Sequence, residues 1–450
     1  MNHLLSEIKR RPLILGTIIL TLAGLLSRLI GFFLRIYTAH LFTEEEIGIF
    51  QLIAPLLALS FVLTGAGLQT AVSSFAASHF ARDDKAGAFS SLLSALFMGI
   101  GISALVTFLM YHFSEEIALH FLSEPRCAPC IRFIALSVPF CCIHSLVNGF
   151  CYSMKKSAFP AFSQLLEQIL RFFVIAFVAF LCLKRNATCN ISLCALGILV
   201  AEAAACIVSI GYLHLYLQKN KISLPSVSRI LAGCPDLFRF VWPLTLSRFV
   251  VQFLLSAEAA LIPAGLCHFG YPKEEALALY GILTGMALPF LLFPTAITGS
   301  LSVLLLPSIS EAHAKNNTKK IRELTVRVIY AATLLGIFCS IFFYVPGKYL
   351  AAFLFQNEIA GQYTSSLSFL CPFLYLSACL GSIINGLGKT KITFLIQTFI
   401  LLFKLLFVLF FIPRFGMNGY FTGLLSAQLL LCLLYLLALR KYLYYSSSVK

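Results

Sequence analysis

The sequence predicts an all-α integral membrane protein of about twelve transmembrane helices, in two parallel six-helix lobes around a central cavity. Three observations carry this reading. Hydrophobic residues fill 60% of the 450 positions and charged residues only 11%, whereas soluble domains carry about a quarter charged residues. Apolar runs of roughly twenty or more residues recur along the whole chain, the length a helix needs to cross about 30 Å of hydrocarbon. The second half also repeats polar landmarks of the first. No long polar stretch remains for a separate soluble domain.

The first helix is expected at about 12–41. Lys9, Arg10 and Arg11 precede it like the charged start of a secretory signal. The run, however, carries Arg28 and Arg35, is too long for a signal, and lacks a convincing cleavage site. Gly24, Arg28, Gly31 and Arg35 step by three or four residues and so share one face. Spans two to four fall at about 47–78, 87–112 and 131–153. The fifth, at about 159–183, carries Ser163, Gln164, Glu167, Gln168 and Arg171 in one polar stripe. Glu167 precedes Arg171 by one turn, the better order for a helical ion pair.

The sixth span, at about 191–217, contains a lone Glu202, suited to packing or to a proton relay. The seventh, at about 236–266, offers Thr245, Arg248, Gln252 and Ser256, with Glu258 off that stripe. Spans eight to ten follow at about 276–309, 324–345 and 364–387. The eleventh, at about 391–412, presents Thr393, Gln397 and Lys404, and the twelfth closes the chain at about 418–439.

The repeat is visible in these landmarks. Asn148-Gly149, Lys155, Lys156, Gln164 and Arg171 are echoed by Asn385-Gly386, Lys389, Lys391, Gln397 and Lys404. Ser27-Arg28 is echoed by Ser247-Arg248. Both series begin from the same side, which makes the repeats parallel, one lobe at 1–220 and the other at 221–450. Orientation follows from the loops. Of 33 Lys and Arg, five are embedded in spans. Seven (Arg126, Arg132, Lys184, Arg185, Lys273, Lys348, Arg414) fall on one side, and the other 21 on the side of the termini. The positive-inside rule then puts both termini in the cytoplasm of a multi-pass cytoplasmic-membrane protein. The net charge of +15 arises mostly from this bias, so no nucleic-acid partner is implied.

Eight ionisable residues lie within spans: Arg28, Arg35, Glu167, Arg171, Glu202, Arg248, Glu258 and Lys404. Facing lipid they would together cost on the order of 20 kcal/mol, so they should face one another or a wet interior. Structural readings exist for several, since Arg35 can snorkel from a helix end and Glu167–Arg171 can tie helices together. Five cations against three anions favour an anionic ligand, and arginine's fork suits phosphate oxygens. No metal centre or catalytic site is expected. The aspartates Asp83, Asp84 and Asp236 lie outside the span interiors, and His144 has no carboxylate neighbour in sequence. The fifteen cysteines scatter through apolar runs as small hydrophobes. Cys127 and Cys130 form an incidental pair or a local disulfide.

Several segments, in order, resemble a known family. They are Gly24-Leu25-Leu26-Ser27-Arg28-Leu29-Ile30-Gly31-Phe32, Gly48-Ile49-Phe50-Gln51-Leu52 and Gly65-Ala66-Gly67-Leu68. Ser163-Gln164-Leu165-Leu166-Glu167-Gln168-Ile169-Leu170-Arg171 and Leu305-Leu306-Pro307-Ser308-Ile309-Ser310 follow. Together they resemble the stage V sporulation protein B and polysaccharide-transporter branch of the multidrug/oligosaccharidyl-lipid/polysaccharide exporter superfamily, over nearly the whole chain. The resemblance implies a flippase for polyprenyl-pyrophosphate-linked sugars of the cell envelope, working by alternating access. The embedded cations Arg28, Arg171, Arg248, Lys404 and Arg35 are the expected substrate-binding residues of the cavity, and the resemblance carries a functional role to Arg28 in its Ser-Arg-x-x-Gly context. Arg35 falls one residue off the usual second-arginine spacing. Relatives commonly have two further helices for the lipid tail. The competing reading is a cation-coupled small-molecule antiporter of the same fold, with Glu202 and Glu258 as its acidic ion site. Neither reading calls for a cofactor. Energy would come from the membrane potential, Na+ or H+, and the chain is expected to act as a monomer.

Overall fold

A computed structural model describes residues 12–221, 225–315 and 317–445. The expectations placed on Lys9, Arg10, Arg11, Asn316 and Lys450 lie outside the described residues. Every described element is helical, and twelve helices are long and apolar enough to cross a membrane. They are α1 (Pro12–Leu41), α2 (Glu44–Phe80), α3 (Lys85–His112), α4 (Pro125–Ser153), α5 (Ala158–Lys184) and α6 (Ser192–Asn220). The second set is α7 (Val227–Phe269), α8 (Lys273–Leu292), α9 (Thr318–Tyr344), α10 (Glu358–Gly386), α11 (Thr390–Phe410) and α12 (Ile412–Lys441). Lipid selects this architecture because a helix satisfies its backbone hydrogen bonds internally.

One expectation fails in detail. The eighth span, read as one helix over 276–309, ends at Leu292 and restarts as a separate helix, Thr295–Ala314. Pro294, just before that restart, has no N–H to continue the ladder. Two further irregularities are π turns, Val62–Ala66 within α2 and Ile282–Ala287 within α8. Each contains Leu-Thr-Gly, at Leu63-Thr64-Gly65 and Leu283-Thr284-Gly285, a second repeat that spacing arguments overlooked.

The chain forms two compact units. Unit 1 comprises residues up to Leu34 and Leu52–Ser256, and unit 2 comprises Arg35–Gln51 and the residues from Ala257 onward. Unit 1 is centred on buried Leu68, Val72, Phe89, Leu92, Leu146 and Phe150, from α2, α3 and α4. Unit 2 is centred on Ile309, Leu380, Ile383, Ile384 and Tyr435. Large side chains also point outward. On α5, Phe173, Phe177 and Phe180 are each more than 60% exposed, at the four- and three-residue spacing of a single helix face. Such a face suits acyl chains.

Close helix contact uses small residues, as is common in membranes. In unit 2 a Cβ at Gly48 would strike the carbonyl oxygen of Leu277, and one at Gly281 would strike that of Glu44. α2 and α8 therefore meet backbone to backbone at this point. No disulfide joins the cysteines, and Cys127 and Cys130 are both buried. Of the two readings of that pair, the disulfide is not formed.

Candidate functional site

The polar stripe of α5 turns away from its phenylalanine face. Arg171 Nη2 donates to Glu167 Oε1 at 2.5 Å, one turn apart. This places both residues where the i,i+4 spacing puts them. Long-range packing adds what spacing could not supply. His144 of α4 and Glu202 of α6 meet at 3.5 Å, Nδ1 to Oε2. Ser163 Oγ lies 2.6 Å from His144 Nε2, and Asn148 Nδ2 lies 2.8 Å from the same nitrogen. The lone Glu202 thus has a histidine partner, and His144 has a carboxylate.

His144, Glu167 and Glu202 bring their ligand atoms within 4.8 Å of one another. The set is nevertheless poorly suited to a divalent metal, because Arg171 already occupies one carboxylate and like charges repel. Ser163, His144 and Glu202 also run in the order of a nucleophile triad. Ser163 is 0% exposed, so no substrate reaches its hydroxyl. Three polar atoms here are buried without a hydrogen bond: Asn148 Oδ1, Glu202 Oε2 and Arg171 Nε.

The remaining embedded charges fall into two groups. Arg248 Nη1 donates to Ala66 O at 2.8 Å in unit 1, and Arg35 Nη1 donates to Thr284 O at 3.4 Å in unit 2. Both acceptors belong to π turns. A π turn disturbs the regular carbonyl ladder, and in each unit an arginine supplies an outside donor at that point. Gln252 similarly donates to Pro55 O at 3.2 Å. In unit 2, Lys404 Nζ lies 2.7 Å from Glu258 Oε1, and Tyr420 Oη donates to the same oxygen at 3.0 Å. Glu258 was missed as a counter-ion because 146 residues separate it from Lys404.

Arg28 differs from these. It is exposed on α1 and, among the described residues, has no hydrogen bond or ion pair. Gln164 and Gln397 are also exposed, while Gln168 Oε1 lies 3.7 Å from the Cβ position of Gly31. Unit 2 contains a cavity of about 300 Å³ lined by Ser377, Ser382, Asn385, Thr393, Gln397 and Tyr435, with no charged residue in its wall. Thr393 Oγ1 donates to Asn385 Oδ1 there at 2.8 Å.

Comparisons with known proteins fit this architecture. The family model "Polysaccharide biosynthesis protein" matches residues 13–264, and the model "MatE" matches residues 266–410. Stage V sporulation protein B of Bacillus subtilis (strain 168) is 26% identical over 443 residues, covering 97% of this chain and 85% of that protein. An inward-facing multidrug resistance MATE family transporter of the MOP superfamily superposes with a TM-score of 0.74 at 14% identity. The match covers 94% of this chain and 96% of that one. The lipid II flippase MurJ, in an inward closed conformation, superposes with a TM-score of 0.73 at 16% identity, over 94% of this chain and 87% of its own. These likenesses give the fold, that of the MOP-superfamily transporters. With a model matched over more than half its length, the chain belongs to the polysaccharide biosynthesis protein family.

Proposed function

We propose that this protein is a membrane flippase that moves polyprenyl-pyrophosphate-linked oligosaccharides, precursors of peptidoglycan or another envelope polysaccharide, across the bacterial cytoplasmic membrane. The observation that carries the reading is Arg28. The other embedded cations are spoken for: Arg171 by Glu167, Lys404 by Glu258, and Arg248 and Arg35 by backbone carbonyls. A bare cation at the centre of a span costs about 2.5–3.5 kcal/mol, and a pyrophosphate supplies the missing counter-charge bidentately. The family match and the likeness to stage V sporulation protein B and to a lipid II flippase support the substrate class.

The reading includes both termini in the cytoplasm, two six-span lobes at 1–220 and 221–450, and alternating access with non-covalent chemistry. An inside-negative potential favours outward movement of an anion by about 2.3 kcal/mol per charge per 100 mV. In nanodiscs, binding of a polyprenyl-pyrophosphate saccharide should fall at least about tenfold in Arg28→Ala and weaken with salt. A preference for a cationic or neutral amphiphile, indifferent to Arg28→Ala, would overturn the flippase reading. That result would favour a cation-coupled antiporter of the same fold, the reading to which the buried Glu202 lends support.

A further inference from the structure

The charges of the α4–α5–α6 cluster do not cancel. Glu167 and Glu202 bring two negative charges and Arg171 one positive charge. With a neutral imidazole at His144, the set is left one negative charge in excess. Packed neighbours supply no remedy. α2 between Ile47 and Ser78, and α3 between Ala86 and Tyr111, contain no Asp, Glu, Lys, Arg or His. α1 approaches α5 at Gly31, beside Gln168, and Arg28 makes no ion pair with the cluster among the described residues. Arg248, on α7, is bound to the Ala66 carbonyl. The thiols of Cys141 on α4 and Cys206 on α6 lie in the field of Glu202 and add no charge at neutral pH.

An unbalanced charge out of water either takes a proton or recruits a counter-ion. Two buried acceptors stand ready. Glu202 Oε2 and Asn148 Oδ1 lack hydrogen bonds, on residues that are each 8% exposed. His144 lies between them, its Nδ1 toward Glu202 and its Nε2 toward Asn148 and Ser163.

We propose that His144 and Glu202, set against the Glu167–Arg171 pair, form a binding site for one exchangeable proton in unit 1. On loading, a proton from water adds to the unprotonated ring nitrogen of His144, and no other bond forms or breaks. The imidazolium then donates from Nδ1 to Glu202 Oε2. From Nε2 it donates to Ser163 Oγ, or to Asn148 Oδ1 once that amide turns over. The cluster becomes neutral and Glu202 Oε2 comes into use, joined by Asn148 Oδ1 once that amide has turned over. Release to water reverses each step. The proton belongs to the cluster as a whole, since groups this close titrate together.

The corresponding place in unit 2 lacks the chemistry. Asn385 answers Asn148, and four residues before it stands Gly381 where His144 stands before Asn148. Tyr435 follows Lys404 at the interval by which Glu202 follows Arg171. A Cβ on Gly381 would lie 3.6 Å from Tyr435 Oη, so the histidine–carboxylate contact has become a glycine–tyrosine contact. Proton binding by a histidine–carboxylate pair of this kind is therefore confined to unit 1 among the described residues. It stands apart from the identity of the transported substrate, and its test needs no transport assay.

The test counts protons taken up by the full-length protein in nanodiscs between about pH 8 and pH 5. Wild type should take up about one proton more than either Glu202→Gln or His144→Gln, while Tyr435→Phe should titrate as wild type. Glu202→Gln reproduces the neutral cluster, so it should accumulate and elute as wild type does. Its failure to fold would count against the proposal, as would titration curves of both variants that match wild type. Radioactive sodium supplies the rival outcome. Stoichiometric binding at about pH 8, abolished by Glu202→Gln with the proton count unchanged, would make this a sodium site and overturn the assignment.

Discussion

In unit 1, Asp84 accepts a hydrogen bond from Gly87 N at 2.7 Å and caps α3. In unit 2, Asn317 accepts from Lys320 N at 2.9 Å and caps α9. The same substitution of neutral for charged recurs deeper. Unit 1 places His144 beside Glu202 where unit 2 places Gly381 beside Tyr435. Unit 2 leaves an uncharged cavity where unit 1 has an ionic cluster. Other features are shared, since each unit has a π turn around Leu-Thr-Gly with an arginine on one of its carbonyls. The repeat thus preserves backbone irregularity and helix capping while letting titratable chemistry diverge. Dependence on pH should therefore originate in unit 1, and unit 2 should contribute mainly stability.

The largest expected effect concerns the ion pair of unit 2. Glu258 is 4% exposed, and its cation Lys404 comes from another helix. Lys404→Met strands a buried carboxylate and should destabilise by about 3–5 kcal/mol. Lys404→Met with Glu258→Leu should recover most of the loss. Thermal unfolding in detergent measures both. If the double variant is no better than the single, Lys404 has a role beyond neutralising Glu258.

The arginines at the π turns come next. Arg248→Ala should cost about 1–3 kcal/mol, the range for leaving a buried acceptor unpaired. Arg35→Ala should cost less, because its bond to Thr284 O is 3.4 Å against 2.8 Å for Arg248 to Ala66 O. The reverse ranking would mean that the two turns are not equivalent devices.

Much of this was legible in the sequence, for physical reasons. Helix positions follow from runs of apolar residues whose length the bilayer imposes. Glu167–Arg171 was readable because both partners lie on one helix. Contacts between helices were not readable. Glu258 lay off the stripe of its own helix and Glu202 had no neighbour in sequence, yet each found a partner that only packing could supply. The break at Pro294 could have been anticipated from a proline inside an eighth span too long for the bilayer. The π turns left only the repeated Leu-Thr-Gly as a trace, and that triplet is too short to weigh unaided.

The smallest effect tests the comparison at the membrane surface. The Gly87 N–H holds the Asp84 carboxyl below its ordinary value, aided by His79 and Arg229 and opposed by partial desolvation. A depressed value means a contribution to stability that is present above about pH 4, the unfolded value, and lost as pH falls through the folded one. Asp84→Asn keeps the capping oxygen and removes the charge. It should therefore cost up to about 1 kcal/mol at neutral pH, since exposed pairs are weak, and nothing once the wild-type carboxyl is protonated. Asn317→Asp is the mirror experiment. A negative charge at the start of α9, next to Lys319 and Lys320, should add about 0.3–1 kcal/mol at neutral pH and lose it in acid. Melting curves of both variants at neutral pH and in acid would decide the matter. A penalty for Asp84→Asn that persists unchanged in acid would show that its charge contributes nothing, leaving the two caps alike.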